Sequence, residues 1–584
     1  MTPSITSKDD LPAADLHETA PTRRHVLKVL GAAVGGTAML SSAPLVAESL
    51  NAASVEYPAI PTTKGDAVFA TDAEPVAETA SGKVRGYVRH GIYTFKGIPY
   101  GDTTAGANRF MAPRKPLPWT GIRSSMQFGN VCPQPARAGW ANDEEAWLFS
   151  WNDGIAGEDC LRVNLWTPGI NDGKKRPVMV WLHGGGYTAG SGQELLSYDG
   201  ENLARRGDVV VVTLNHRLNV FGFLNLTAYG SQYADSANAG MLDIVAALEW
   251  VRDNISGFGG DANSVTIFGQ SGGGGKVTAL MAMPAAKGLF HRAIVESGSL
   301  GRGATLESSG KLTEMLLAKL GIDRSSVGKI QQLPVAELEA AAVAVTTHPP
   351  SRTGIIDFRH VSAQLGWAPV VDEKNLPRQP FDPDAPPQSA QIPLLVGTTL
   401  NEFVTGINHP DFMQMTDAML HSRAEEAFPG RGDKIIAAAK SVYPNAKPFE
   451  LWSVIAVSGV RGAAIRQANL KAVQPAPVYL YQFAWQSPML NGRPMAFHCS
   501  EIAFVFDNTE RCENMTGGGP AARDLAGRVS EAWIRFARTG DPNHSGLPRW
   551  PKYDASTSPT MIFDTRCEVR EKFDQPLQDA VSQS

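Results

Sequence analysis

The chain has 584 residues, 43% of them hydrophobic, enough to bury one very large core or several smaller ones. Lys and Arg number 53 against 58 Asp and Glu, a net charge of −5; this excludes a broad basic field for nucleic acid or anionic lipid and favours a neutral, modestly sized organic substrate. The 57 glycines suit an α/β protein with many tight turns, and the sequence has no internal repeat or low-complexity tract.

Residues 1–47 read as an export signal. Thr22-Arg23-Arg24-His25-Val26-Leu27-Lys28 precedes a run from Val29 to Ala47 without a charged side chain, the pattern of a twin-arginine signal. The run is rich in Gly, Ala, Ser and Thr, too weakly apolar for a stable membrane span. Cleavage after Ala43 or after Ala47 fits equally well. A periplasmic or secreted protein is expected, and an oxidising compartment makes Cys132, Cys160, Cys499, Cys512 and Cys567 candidates for disulfides, with at least one left over. No Cys-x-x-Cys or His-Glu-x-x-His occurs, so neither a metal nor any other cofactor is expected.

After a polar linker over 48–75, short apolar runs alternate with longer helical patterns, which predicts a mixed or parallel sheet covered by helices. Val178-Met179-Val180-Trp181-Leu182 and Val209-Val210-Val211-Val212-Thr213-Leu214 read as buried central strands. Asp243 to Asn254 has helical spacing, and Ser264-Val265-Thr266-Ile267-Phe268 returns to strand character.

Gly269-Gln270-Ser271-Gly272-Gly273 follows that strand and opens onto a helical stretch from Lys276 to Met281. The bare pattern is weak in a Gly-rich chain, but strand, turn and helix in that order make it a nucleophile elbow, with the Ser271 hydroxyl raised at a helix N-terminus. Upstream, His183-Gly184-Gly185-Gly186-Tyr187 leaves the end of the Val178 strand. Consecutive glycines let backbone N–H groups converge on one oxygen, so Gly185, Gly186 and Gly272 are the candidate oxyanion donors. The acid and base should follow the serine in that order. Asn401-Glu402 comes after the strand-like Pro393-Leu394-Leu395-Val396-Gly397, and His498 lies before Cys499-Ser500-Glu501-Ile502. A lone His or Glu in a loop is more often structural, and residue chemistry alone selects neither.

At this point the sequence resembles the type-B carboxylesterase/lipase family, which includes the cholinesterases, over roughly residues 75 to 565. The resemblance is carried by Phe95-Lys96-Gly97-Ile98-Pro99-Tyr100, Glu158-Asp159-Cys160-Leu161-Arg162-Val163-Asn164 and Asn215-His216-Arg217. It continues in Phe258-Gly259-Gly260-Asp261, Thr539-Gly540-Asp541-Pro542-Asn543 and Trp550-Pro551. It implies a single α/β-hydrolase domain over 76–584 with a large, mostly parallel sheet flanked by helices. It also implies ester hydrolysis through an acyl-enzyme, with Ser271 as nucleophile, His498 as base and Glu402 as acid.

Further implications are a structural ion pair between Arg109 and Glu158, a disulfide between Cys132 and Cys160, and a loop between those cysteines forming one wall of the gorge. Trp140, Trp147 and Trp151 would then contact the substrate, unless the rings only pin the loop to the domain. Ser297 would support the acid or be an ordinary turn serine. Two departures stand out: Gln270 replaces the family's usual Glu before the serine, removing a negative charge and weakening any preference for cationic esters, and Phe403 replaces the usual Gly after the acid. The expected partner is a small-molecule ester. Amide, carbamate or lactone hydrolysis on the same triad, and a non-catalytic binding protein on this scaffold, remain the alternatives; the sequence does not reveal the oligomeric state.

Overall fold

Strands form where apolar residues run without interruption. Val178, Val180 and Leu182 join one core cluster, whereas Met179 and Trp181 join another, so this strand is buried on both faces and shows no polar alternation. The computed structural model describes residues 68–136, 143–346 and 366–582. The expected export signal, the linker up to residue 67 and Trp140 lie outside the described residues.

Among the described residues the main sheet has 11 strands. In chain order they are β1 (Tyr87–Arg89), β2 (Ile92–Pro99), β3 (Arg162–Thr167), β4 (Arg176–Leu182), β5 (Val210–Leu214), β6 (Gly260–Gln270), β7 (Arg292–Glu296), β8 (Leu394–Thr399), β9 (Val478–Phe483), β10 (Pro559–Phe563) and β11 (Glu568–Glu571). The spatial order is β11-β10-β9-β8-β7-β6-β4-β5-β3-β2-β1. From β5 through β4 and β6 to β10 every pairing is parallel, while β11 and the β3-β2-β1 end are antiparallel. A smaller sheet of Val76–Thr79, Gly82–Arg85 and Ile122–Ser124 precedes and accompanies the first strands.

Helices cover both faces. They include α1 (Asp143–Phe149), α2 (Ala239–Asn254), α3 (Gly272–Leu280), α4 (Ser458–Ala472) and α5 (Gly519–Thr539). The α2 helix begins before the expected Asp243 because the preceding Asn238 is held by tertiary contacts: its amide donates to Val370 O at 2.8 Å and to Asp372 Oδ2 at 3.0 Å. Asp243 then pairs with Arg217 through two short contacts of 2.6 and 2.8 Å, both side chains fully buried. Such a pair costs desolvation and is costly to break, so it pins the Asn215-His216-Arg217 segment after β5.

The α3 helix also begins earlier than expected, through four consecutive glycines whose helix propensity is poor by about 1 kcal/mol each. Packing overrides propensity. A Cβ on Gly273 would lie 1.9 Å from Leu182 O, and one on Gly274 would lie 2.8 Å from Gly298 Cα; only glycine lets this helix start so close to β4.

Arg109 and Glu158 form the expected ion pair, with contacts of 2.7 Å from Nε and from Nη2. Cys132 and Cys160, the pair expected to join, are both buried and are free thiols in this structure. They are in hydrogen-bonding contact with each other, and burial pushes the Cys132 thiol well up, which favours its protonated form. Leu218 N donates to Cys132 Sγ at 3.2 Å. Among the described residues no helix is long and apolar enough to cross a membrane, and no cluster of His, Cys, Asp and Glu could hold a metal ion.

Candidate active site

Ser271 occupies the turn between β6 and α3 with φ 57° and ψ −123°. A non-glycine residue in this region is strained, and strain of this kind persists only where the surroundings enforce it. Here Ser271 N donates to Glu296 O on β7 at 2.7 Å, and Ser271 O accepts from Gly275 N at 3.0 Å. A Cβ on Gly298 would come within 2.2 Å of Ser271 O, so the turn is held from both sides.

The loop after β4 lies against this elbow. Gly185 and Gly186 have φ of 78° and 62°, and a Cβ on Gly272 would sit 2.3–2.4 Å from the Gly186 backbone. A Cβ on Gly184 would be 3.6 Å from Ser271 Cβ. Gly185 and Gly186 are exposed while their neighbours His183, Gly184 and Tyr187 are buried, so this backbone faces open space beside the serine. The three expected oxyanion donors are therefore brought together.

Glu402 and His498 come from loops far apart in sequence. They meet because Glu402 forms an isolated parallel bridge with Phe497, and His498 N donates to Glu402 O at 2.9 Å. Glu402 Oε2 accepts a short hydrogen bond from His498 Nδ1. Its Oε1 accepts from Ser297 Oγ at 2.8 Å and from Thr399 N at 3.0 Å. Ser297 thus holds the Glu402 side chain in place. Both oxygens of a buried carboxylate are satisfied, which fixes the imidazole in one orientation.

Two side chains pack against His498, and a third holds one of them. The amide nitrogen of Gln270 is 3.2 Å from both ring nitrogens; equal distances place it against the ring rather than in line with either lone pair. Its oxygen accepts from Cys499 Sγ at 3.0 Å. The Phe403 ring packs on the imidazole as well. Beside Glu402 and His498 is a small cavity of about 10 Å³, also lined by Glu145, Leu148, Phe403 and Asn408, about the size of one water. Burial pushes Glu145 up to about 7, against a hydrogen bond from Asn408.

Two further carboxyls lie beneath the site. Burial pushes Glu296 up to about 8, opposed by the hydrogen bond from Trp533 Nε1 at 2.7 Å. Burial and then the Glu296 and Glu402 charges push Glu501 well above the usual carboxylate range. Burial thus favours the protonated form of both carboxyls.

The aromatic segment is partly helical, which sorts its rings by face. Trp147, on α1, is 44% exposed, and its carbonyl accepts from Asn514. Phe149 is buried edge-on against Phe497 at 5.6 Å, and Leu148 faces the small cavity beside His498. Trp151 lines a separate cavity of about 210 Å³ with Gln134, Asp153 and Glu194, and its Nε1 donates to Asp153 at 2.8 Å. A helical reading of Asp143–Phe149 would have found Glu145 and Leu148 in place of Trp147.

The Carboxylesterase family model matches residues 73–580. The chain belongs to the carboxylesterase family. It is 36% identical over 502 residues to para-nitrobenzyl esterase of Bacillus subtilis, covering 85% of this chain and 96% of that protein. It is 34% identical over 515 residues to phenmedipham hydrolase of Pseudarthrobacter oxydans, covering 86% and 98%. Among solved structures, an esterase from Clostridium hathewayi that can hydrolyze aliphatic aromatic polyesters superposes with a TM-score of 0.76 at 36% identity, covering 88% of this chain and 99% of that one. A carboxylesterase of Geobacillus stearothermophilus superposes with a TM-score of 0.72 at 35% identity, covering 86% and 99%. The fold is that of an α/β-hydrolase, and this carboxylesterase is a carboxylic ester hydrolase acting on small-molecule esters.

Proposed function

We propose that this carboxylesterase cleaves neutral and aryl esters through Ser271, His498 and Glu402. The observation that carries this reading is the Glu402–His498 pairing beside a strained serine elbow. With Nδ1 committed to Glu402, His498 Nε2 accepts the Ser271 proton as Oγ bonds to the ester carbonyl carbon. Gly185, Gly186 and Gly272 N–H groups receive the oxyanion, each such donor contributing about 3 to 4 kcal/mol. Collapse expels the alcohol, which takes the proton from His498. Water, deprotonated by His498, then attacks the acyl-serine and releases the acid, restoring Ser271. Neutral Gln270 against the imidazole supports a preference for uncharged substrates; Trp140, Trp147 and Trp151 are assigned to a substrate-contacting wall on the family pattern alone.

Treatment with a fluorophosphonate tests the assignment. One label on the Ser271 peptide is expected, and a label mapping to another residue contradicts it. Carbamate hydrolysis on the same serine is a second reading, supported by the likeness to phenmedipham hydrolase.

The residues around Arg23-Arg24 support export by the twin-arginine route to the periplasm or medium. In that oxidising compartment the neighbouring Cys132 and Cys160 thiols would join, adding roughly 3.5 kcal/mol by the chain-entropy estimate. Fractionation with N-terminal sequencing and thiol mapping of the exported protein reads both: a full-length cytoplasmic product, or two free thiols after export, removes the corresponding reading.

A further inference from the structure

Lys276 lies on the first turns of α3 and is completely buried. Its Nζ donates to His183 O at 2.8 Å and lies 3.5 Å from Gly184 O. Those two carbonyls belong to the peptide groups whose N–H groups are those of Gly184 and Gly185. The second of these is an oxyanion donor in the reading above, on which this inference rests. His183 Nδ1 donates to Gly184 O at 2.9 Å, so the peptide preceding Gly185 is gripped from its carbonyl side by two donors. The stacked rings of His183 and His216, 5.0 Å apart, form one wall around the amine. Glu194 is the acid facing it, and this carboxyl accepts from Ser191 N and from Tyr198 Oη.

A buried amine is costly, and an apolar side chain of the same length would fill the space more cheaply. The four preceding glycines bring α3 against the loop closely enough for Lys276 to reach those carbonyls. Burial pulls Lys276 down to about 7 and pushes Glu194 up to about 8. Charged or neutral, the amine keeps an N–H for His183 O, and the charged form additionally polarises the peptide so that its N–H becomes a stronger donor.

We propose that Lys276 is a positioning residue of the oxyanion hole: it holds the His183-Gly184-Gly185 backbone from behind so that the N–H groups of Gly185 and Gly186 face the oxygen above Ser271. It touches no substrate. Its effect is confined to states in which that oxygen carries negative charge, which separates it from a residue that merely stabilises the fold.

The test uses Lys276→Met, which keeps the stem and removes the donor, with an ester substrate and a trifluoromethyl ketone. Ser271 Oγ adds to the ketone carbon, the proton passes to His498, and the former carbonyl oxygen becomes an alkoxide in the hole. The expected result is kcat lower by about 10- to 100-fold and the ketone Ki higher by a similar factor, with KM within about threefold. Lys276→Gln, a neutral donor, should recover part of both losses, and it is compared with wild type by the same readings if the methionine variant does not fold. A ketone Ki equal to that of wild type overturns the proposal, whatever happens to thermal stability. Failure of the underlying reading looks different: Ser271→Ala would then keep its turnover, independently of Lys276.

Discussion

The Phe403 ring centroid lies 3.8 Å from that of His498, with the two planes tilted by 32°. Phe403 directly follows the acid that holds the same imidazole, so one short segment fixes both an edge and a face of the ring. In the mechanism proposed above, that aromatic face would also stabilise the imidazolium that His498 becomes.

Replacing that ring should therefore cost rate more than binding. For Phe403→Leu, kcat should fall about fivefold, corresponding to about 1 kcal/mol for the lost ring contact. KM for a small ester should barely move. Steady-state kinetics on a nitrophenyl acetate series measures both, and an unchanged kcat would show that the hydrogen bond to Glu402 orients His498 by itself.

Gln270 is the neutral group in contact with the same imidazole. Gln270→Glu places a carboxylate there and should raise kcat/KM for a cationic ester relative to its neutral isostere by roughly tenfold, a modest share of the Coulomb energy available at short range. Competition between the two esters reads the ratio. A ratio equal to that of wild type would mean that the introduced acid stays protonated or that the cation binds elsewhere.

Much of this site was legible in the sequence, and the division has a physical basis. The elbow and the glycine loop announce themselves because close backbone approach excludes every other residue, as the 1.9 Å Cβ contact at Gly273 illustrates. Glu402 and His498 carry no such local mark. They meet through a single bridge between distant loops, and only the family resemblance selected them. Lys276 read as the ordinary start of a helix, since nothing in its neighbours reveals that α3 begins at Gly272 and turns the amine inward. The face of α1 that meets the site carries no such mark: helical geometry turns Glu145 and Leu148 toward His498, whereas the larger Trp147 stays exposed.

Glu296 offers a pH prediction on stability. Its folded pKa, about 8, is raised above the ordinary carboxylate value, so the unfolded chain loses this proton first. The contribution is fully present below the unfolded value near 4.5 and is lost as pH rises through about 8. Glu296→Gln, which mimics the neutral acid and can still accept from Trp533, should flatten the decline of Tm between pH 5 and 8. Calorimetry across that range checks it, and identical slopes in both proteins would mean that Glu296 is not held protonated.

The central claim is that Ser271, oriented by His498 and Glu402, carries the chemistry. Its most direct measurement is kcat/KM of Ser271→Ala on a nitrophenyl ester, with circular dichroism and Tm recorded on the same preparation. The hydroxyl is only partly buried and contributes little packing, so the fold and Tm should match wild type while the rate falls by at least about 10⁴-fold. A folded Ser271→Ala protein that retains more than about a hundredth of the wild-type rate would contradict the account.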